Sequence, residues 1–149
     1  MQFKRAGSQL RARGPAEYFT GSVRGRATPH RVAALFEEAG NAFPGVAWAF
    51  HGHDTYGLGV ANVLAARAAG VTVHDASFAG LGGCPFAPGA TGNVATEDVV
   101  WTLHEMGIDT GINMQKLLIA AQLAEKLPGA QVGGRVRIAL AAAAARGMN

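Results

Sequence analysis

Apolar positions fall into short runs of two kinds along the chain. Val32, Leu35, Phe36 and Ala39 recur at helical spacing, with Thr28 as N-cap, Pro29 at the first helical position and Gly40 as the stop. Val46–Phe50 is a continuous apolar run of buried-strand length and leads directly into His51-Gly52-His53-Asp54. A second helix is predicted over Leu58–Ala69 with Gly70 behind it, and a second strand over Val71–Ser77. A third helix opens at Thr96, carries Glu97 and Asp98 in its first turn and presents Val99, Val100, Leu103 and Met106, with Gly107 as its stop. Asn113 caps a fourth helix running to Leu127, and the Ala-rich stretch from Arg135 to Arg146 predicts a last one. Ala16–Val23 reads as one further short strand, and Trp48 and Trp101 as core.

Strands of this kind alternating with helices imply a parallel α/β sheet with right-handed crossovers. Two strands do not close a barrel or complete a sheet, so the pattern predicts part of a larger architecture.

Composition changes this picture in two places. Glycine makes up 21 of 149 residues, and five of the thirteen residues from Gly80 to Gly92 are glycine, so a glycine-dense loop follows the second strand. The formal charge of +3 is uneven: residues 1–26 carry six Lys/Arg against one acidic residue, whereas residues 27–149 carry seven against nine. The body is therefore mildly acidic, which argues against a nucleic-acid partner. No apolar run reaches the roughly 18 residues of a membrane span, and the N-terminus has no hydrophobic signal core. The single cysteine, Cys84, excludes an intrachain disulfide and suits a reducing compartment, with a bacterial cytoplasm expected ahead of a mitochondrial matrix.

The chemistry-bearing residues cluster after the two strands. His51 and His53 lie two apart on extended chain, so both imidazoles face the same side, as a metal site requires. An isolated H-x-H is more often a structural pair bonded to backbone or carboxylate. Asp54 either orients a ligand histidine from behind or caps the loop. Cys84 sits in the glycine loop, where exposed amides and close backbone approach suit an anionic ligand and an accessible thiol suits proton transfer; a lone cysteine is otherwise a small buried hydrophobe. Asn93 offers an oxygen to a hard cation, although capping the next helix is its commoner role. His30 reads as a surface residue, His104 as a helix-face residue, and His74-Asp75 as structural.

Several stretches together resemble a known family. Gly25–Pro29 (GRATP), His51–Gly57 (HGHDTYG), Val73–Ser77 (VHDAS), Ala79–Asn93 (AGLGGCPFAPGATGN), Ala95–Asp98 (ATED) and Thr110–Leu117 (TGINMQKL) are similar to the C-terminal part of 3-hydroxy-3-methylglutaryl-CoA lyases. The resemblance implies a partial (β/α)8 TIM barrel, namely the last two parallel strands with their helices plus C-terminal helices. It implies metal ligation by His51, His53 and Asn93, catalysis by Cys84, a substrate loop including Gly82, Gly83, Gly89 and Gly92, and Asp54 behind the ligands. The implied cofactor is Mg²⁺ or Mn²⁺. The implied substrate is an acyl-CoA, cleaved in leucine degradation to acetyl-CoA and acetoacetate, with no membrane or nucleic-acid partner.

The same resemblance carries an Arg, an Asp and a Glu on earlier barrel strands that have no counterpart here. A complete barrel takes about 250 residues, and 123 residues follow residue 26. The expected organisation is a basic leader at 1–26, resembling the opening of small bacterial cupin-domain proteins without their metal motif. The lyase-type portion follows at 27–127 and an Ala-rich helix at 128–149. On this reading the lone chain has negligible activity, and the alternative is a non-catalytic remnant that binds metal weakly or assembles with a copy of itself or a partner chain supplying the missing strands.

Overall fold

The computed structural model describes residues 27–83 and 91–147. The strand expected within Ala16–Val23, the leader as a whole, Cys84 and Gly89 lie outside the described residues. The chain divides into two compact units, one containing residues 27–75 and the other residues 76–83 and 91–147.

The first unit is a parallel strand pair joined by a helical crossover. Helix α1 (Pro29–Ala42) starts as predicted: Thr28 is extended and its carbonyl accepts from the Arg31 and Val32 amides. The helix runs through Gly40 to Ala42, because one glycine weakens a helix without breaking it. The reversal falls instead at Gly45, whose φ is +89°. Val32 is the buried residue of α1, while Leu35 is 54% exposed and falls outside the predicted apolar face. Phe36 packs edge-on against Trp48 and Phe50, with ring centroids 6.5 and 6.0 Å away, and so seats the helix on strand β1 (Ala49–His51).

Strand β2 (Val73–Asp75) lies parallel to β1 in the register Ala49↔Val73, Phe50↔His74, His51↔Asp75. Both strands are shorter than the apolar runs that predict them. Helix α2 (Gly59–Ala68) connects them, burying Asn62, Val63 and Ala66. It ends in a Schellman turn, in which the amides of Gly70 and Val71 donate to the carbonyls of Arg67 and Ala66. Gly70 takes the required positive φ, so this predicted stop holds.

The second unit holds helices α3 (Thr96–Glu105), α4 (Met114–Ala124) and α5 (Arg135–Ala145). It also contains a strand-like bridge that the apolar pattern does not reveal. Ser77 pairs in parallel with Ala95: the Ser77 amide donates to the Val94 carbonyl at 3.1 Å and the Thr96 amide to the Ser77 carbonyl at 2.9 Å. The cap of α3 is consequently Ala95 and not Thr96, whose amide is committed to the bridge.

Glu97, Val99, Val100 and Leu103 form the buried face of α3, whereas Met106 and Trp101 are exposed. Gly107 ends α3 in a second Schellman turn, its amide donating to His104 and that of Ile108 to Leu103. Asn113 caps α4 as predicted, its Oδ1 accepting from the Lys116 amide at 3.0 Å. Ala121 and Ala124 of α4 pack with Ala79, with Leu81 against them. Arg137 is the buried residue of the Ala-rich α5; its guanidinium donates to the Gly133 carbonyl and pairs with Glu125.

Candidate functional site

In the first unit the candidate site grows from the end of β1. His51 is the last residue of that strand, Gly52 follows, and His53 is buried. A side chain at residue 52 would place its Cβ 2.7 Å from the Phe50 ring, so glycine lets the chain pass this point between the two histidines. The two imidazoles stand edge-on, ring centroids 5.3 Å apart, as the same-face reading of the pair requires.

The strand register brings Asp75 opposite His51, and His51 Nδ1 lies 2.7 Å from Asp75 Oδ2. A carboxylate only accepts, so Nδ1 carries the proton of this bond and Nε2 presents the ring's other nitrogen. Asp54 occupies a different position. Its Oδ1 accepts from the Gly59 amide at 2.9 Å, at the start of α2, which is the loop-capping alternative of the sequence reading. His74, half-buried on β2, is held below the usual histidine pKa, first by loss of hydration and then by the positive charge of Arg67, against an opposing hydrogen bond with Val71.

In the second unit the described residues build the neck of the glycine loop. The Asn93 amide donates to the Gly82 carbonyl at 3.2 Å, and its Nδ2 donates to the Leu81 carbonyl at 2.8 Å. These bonds join the two strands of chain on either side of the loop. The space there is narrow. A Cβ at Gly92, whose φ is +81°, would lie 2.0 Å from the Gly82 carbonyl oxygen, and one at Gly82 would lie 2.8 Å from Asn93 Nδ2. At Gly83 a Cβ would come within 2.8 Å of Gln131 Oε1. Below the neck, Ala79 adopts a φ of +54°, and its amide donates to both oxygens of the fully buried Glu97, at 2.8 and 3.0 Å. Asp98 reaches across to α5, accepting from the amides of Arg135 and Val136.

Neither motif spacing nor apolar pattern gives Asp75 a site role, and position alone gives Glu97 only a helix-dipole role. Asp75 becomes legible only through the strand register, since it is 24 positions from His51. The acidic first turn of α3 was visible, but the residues it serves were not.

Two imidazoles on one side of a strand end, one of them backed by a carboxylate, are a recurrent half of a metal centre. Among the described residues no group of three His, Cys, Asp or Glu stands together to hold an ion. Among the described residues no helix is long and apolar enough to cross a membrane.

Comparison with known proteins places the chain in a family. The HMGL-like family profile matches residues 3–124, a range that includes most of the basic N-terminal segment. The hydroxymethylglutaryl-CoA lyase of Pseudomonas mevalonii is 45% identical over 134 residues, covering 87% of this chain and 43% of that enzyme. The crystal structure of the Pseudomonas aeruginosa hydroxymethylglutaryl-CoA lyase matches with a TM-score of 0.72 at 43% identity, over 78% of this chain and 39% of that one. An HMG-CoA lyase from Acinetobacter baumannii, solved with coenzyme A and 3-methylmalate, matches with a TM-score of 0.66 at 38% identity, over 74% and 36%. The chain thus spans about two-fifths of the length of these relatives. Its fold class is theirs, parallel α/β of the TIM-barrel type. From the strand-end histidines, the glycine-loop neck and these likenesses, the chain belongs to the HMGL-like family.

Proposed function

We propose that this chain carries the metal-binding and cysteine-loop portion of a hydroxymethylglutaryl-CoA lyase. The reaction is the retro-Claisen cleavage of 3-hydroxy-3-methylglutaryl-CoA to acetyl-CoA and acetoacetate, a step of leucine degradation, with an acyl-CoA as substrate. The observation that carries this reading is the pair of same-face imidazoles at the end of β1, His51 backed by Asp75, in a chain of the HMGL-like family.

In this proposal His51, His53 and Asn93 are the ligands of Mg²⁺ or Mn²⁺. When bound, such a cation supplies positive charge that favours deprotonation of a substrate hydroxyl. Loss of the hydroxyl proton, formation of the ketone and cleavage of the carbon–carbon bond leave the enolate of acetyl-CoA. Cys84 Sγ assists the proton transfer to that enolate carbon. Gly82, Gly83, Gly89 and Gly92 let the backbone of the cysteine loop approach substrate closely and exclude water. Asp54 supports this arrangement by holding the turn after His53, through its bond to the Gly59 amide. A reducing compartment such as a bacterial cytoplasm keeps the thiol competent.

The family's Arg, Asp and Glu on earlier barrel strands have no matching motif in these 149 residues. Assayed alone with Mg²⁺ or Mn²⁺, the purified chain is therefore expected to release acetoacetate at no more than background rate. Robust turnover would show that the chain needs no further carboxylate or arginine. A second reading, a remnant that binds metal weakly and assembles with a copy of itself or a partner chain, draws support from Ile119 and Leu123, which lie four residues apart on α4 and are 60% and 59% exposed. Sedimentation as a monodisperse monomer would count against it.

A further inference from the structure

We infer that Asp75 is a positioning residue that fixes the tautomer of His51 and thereby the nitrogen His51 offers to a cation. The inference deepens the metal-site reading above and rests on it for its functional meaning. Three observations carry it. The parallel register sets Asp75 directly opposite His51, so the contact is dictated by main-chain pairing and not by side-chain reach alone. The Nδ1–Oδ2 separation of 2.7 Å lies in the short range of charge-assisted bonds. Asp54, the acidic neighbour that sequence proximity favours for this task, is engaged with the Gly59 amide.

The chemistry follows from the hydrogen-bonding inventory. A neutral imidazole has one N–H and one lone pair, and the carboxylate can only accept. Asp75 therefore holds the proton on Nδ1 and the lone pair on Nε2. It also anchors the ring plane relative to His53, whose ring stands 5.3 Å away at an interplanar angle of 69°. Without the carboxylate the ring would sample both tautomers and rotate about its side-chain bonds. Outer-shell partners of this kind change metal affinity about 10–100-fold.

The test uses the whole 149-residue chain and two readouts. The Asp75 side chain is 65% exposed, so Asp75→Ala is expected to retain the thermal unfolding midpoint of the wild type. Long-range ¹H–¹⁵N spectra of the metal-free chain are expected to show His51 as the Nδ1–H tautomer, and Asp75→Ala to shift it to a mixture with Nε2–H. Mn²⁺ titration followed by electron paramagnetic resonance is expected to show affinity weakened about 10–100-fold in Asp75→Ala. Asp75→Asn, which keeps an acceptor oxygen, is expected to fall between and serves as the second variant if Asp75→Ala folds poorly. An unchanged tautomer in Asp75→Ala overturns the inference, as does a changed tautomer with unaltered Mn²⁺ affinity when His51→Ala does weaken Mn²⁺ binding. Failure of the underlying metal reading has a separate signature: His51→Ala then binds Mn²⁺ as the wild type does, while the tautomer shift in Asp75→Ala persists.

Discussion

His74 shows how one half-buried position ties stability to pH. Burial and the nearby Arg67 charge disfavour its imidazolium, so its folded-state pKa lies below the unfolded value of 6.5. Between those two values the unfolded chain binds more protons than the folded one, and stability falls as pH falls. Chemical denaturation is therefore expected to find no contribution from His74 to pH dependence above about pH 7 and a loss of stability as pH drops through 6.5. His74→Gln should flatten that slope; an equally steep slope in the variant would remove His74 as its source. The neck of the glycine loop gives a steric counterpart. Gly92→Ala combines a positive φ with a Cβ 2.0 Å from the Gly82 carbonyl. It should cost about 2–4 kcal/mol of stability, combining backbone strain with overpacking. A loss below 0.5 kcal/mol, roughly the spread of surface substitutions, would mean that the neck opens freely.

At the level of elements, α5 depends on a residue outside itself. Asp98 of α3 accepts from the Arg135 and Val136 amides, the first two of α5, and so caps a helix whose own side chains bury little. Asp98→Ala is expected to destabilise the chain by about 1–2 kcal/mol, as loss of an N-cap does. The early loss should fall on α5, seen as faster hydrogen exchange over Arg135–Ala145 than over α3. Uniform exchange across both helices would contradict this.

How far the elements were legible follows from the same kind of detail. The end of α2 and the start of α4 are legible because Gly70 and Asn113 act locally, whereas α4 ends at Ala124, short of the expected Leu127. Gly40 misled, because a glycine stops a helix only where the chain turns, and here it turns at Gly45. The Ser77–Ala95 bridge escaped because a single paired position has no period to detect. At the site, the His51–His53 pair is legible from a spacing of two, whereas Asp75 is not, because it lies 24 positions from His51 and meets it only through strand register, which no short stretch of sequence encodes.

For the molecule as a whole, family membership rests on matches spread across most of the chain, while activity belongs to relatives more than twice as long. The central claim is correspondingly local: His51 and His53 together hold a divalent cation. Mn²⁺ titration of the wild-type chain against His51→Ala and His53→Ala, followed by electron paramagnetic resonance, tests it most directly. The account predicts saturable one-to-one binding in the wild type, weakened at least about tenfold by either substitution, a loss of about 1.4 kcal/mol or more. Equal Mn²⁺ affinity in all three proteins would contradict it.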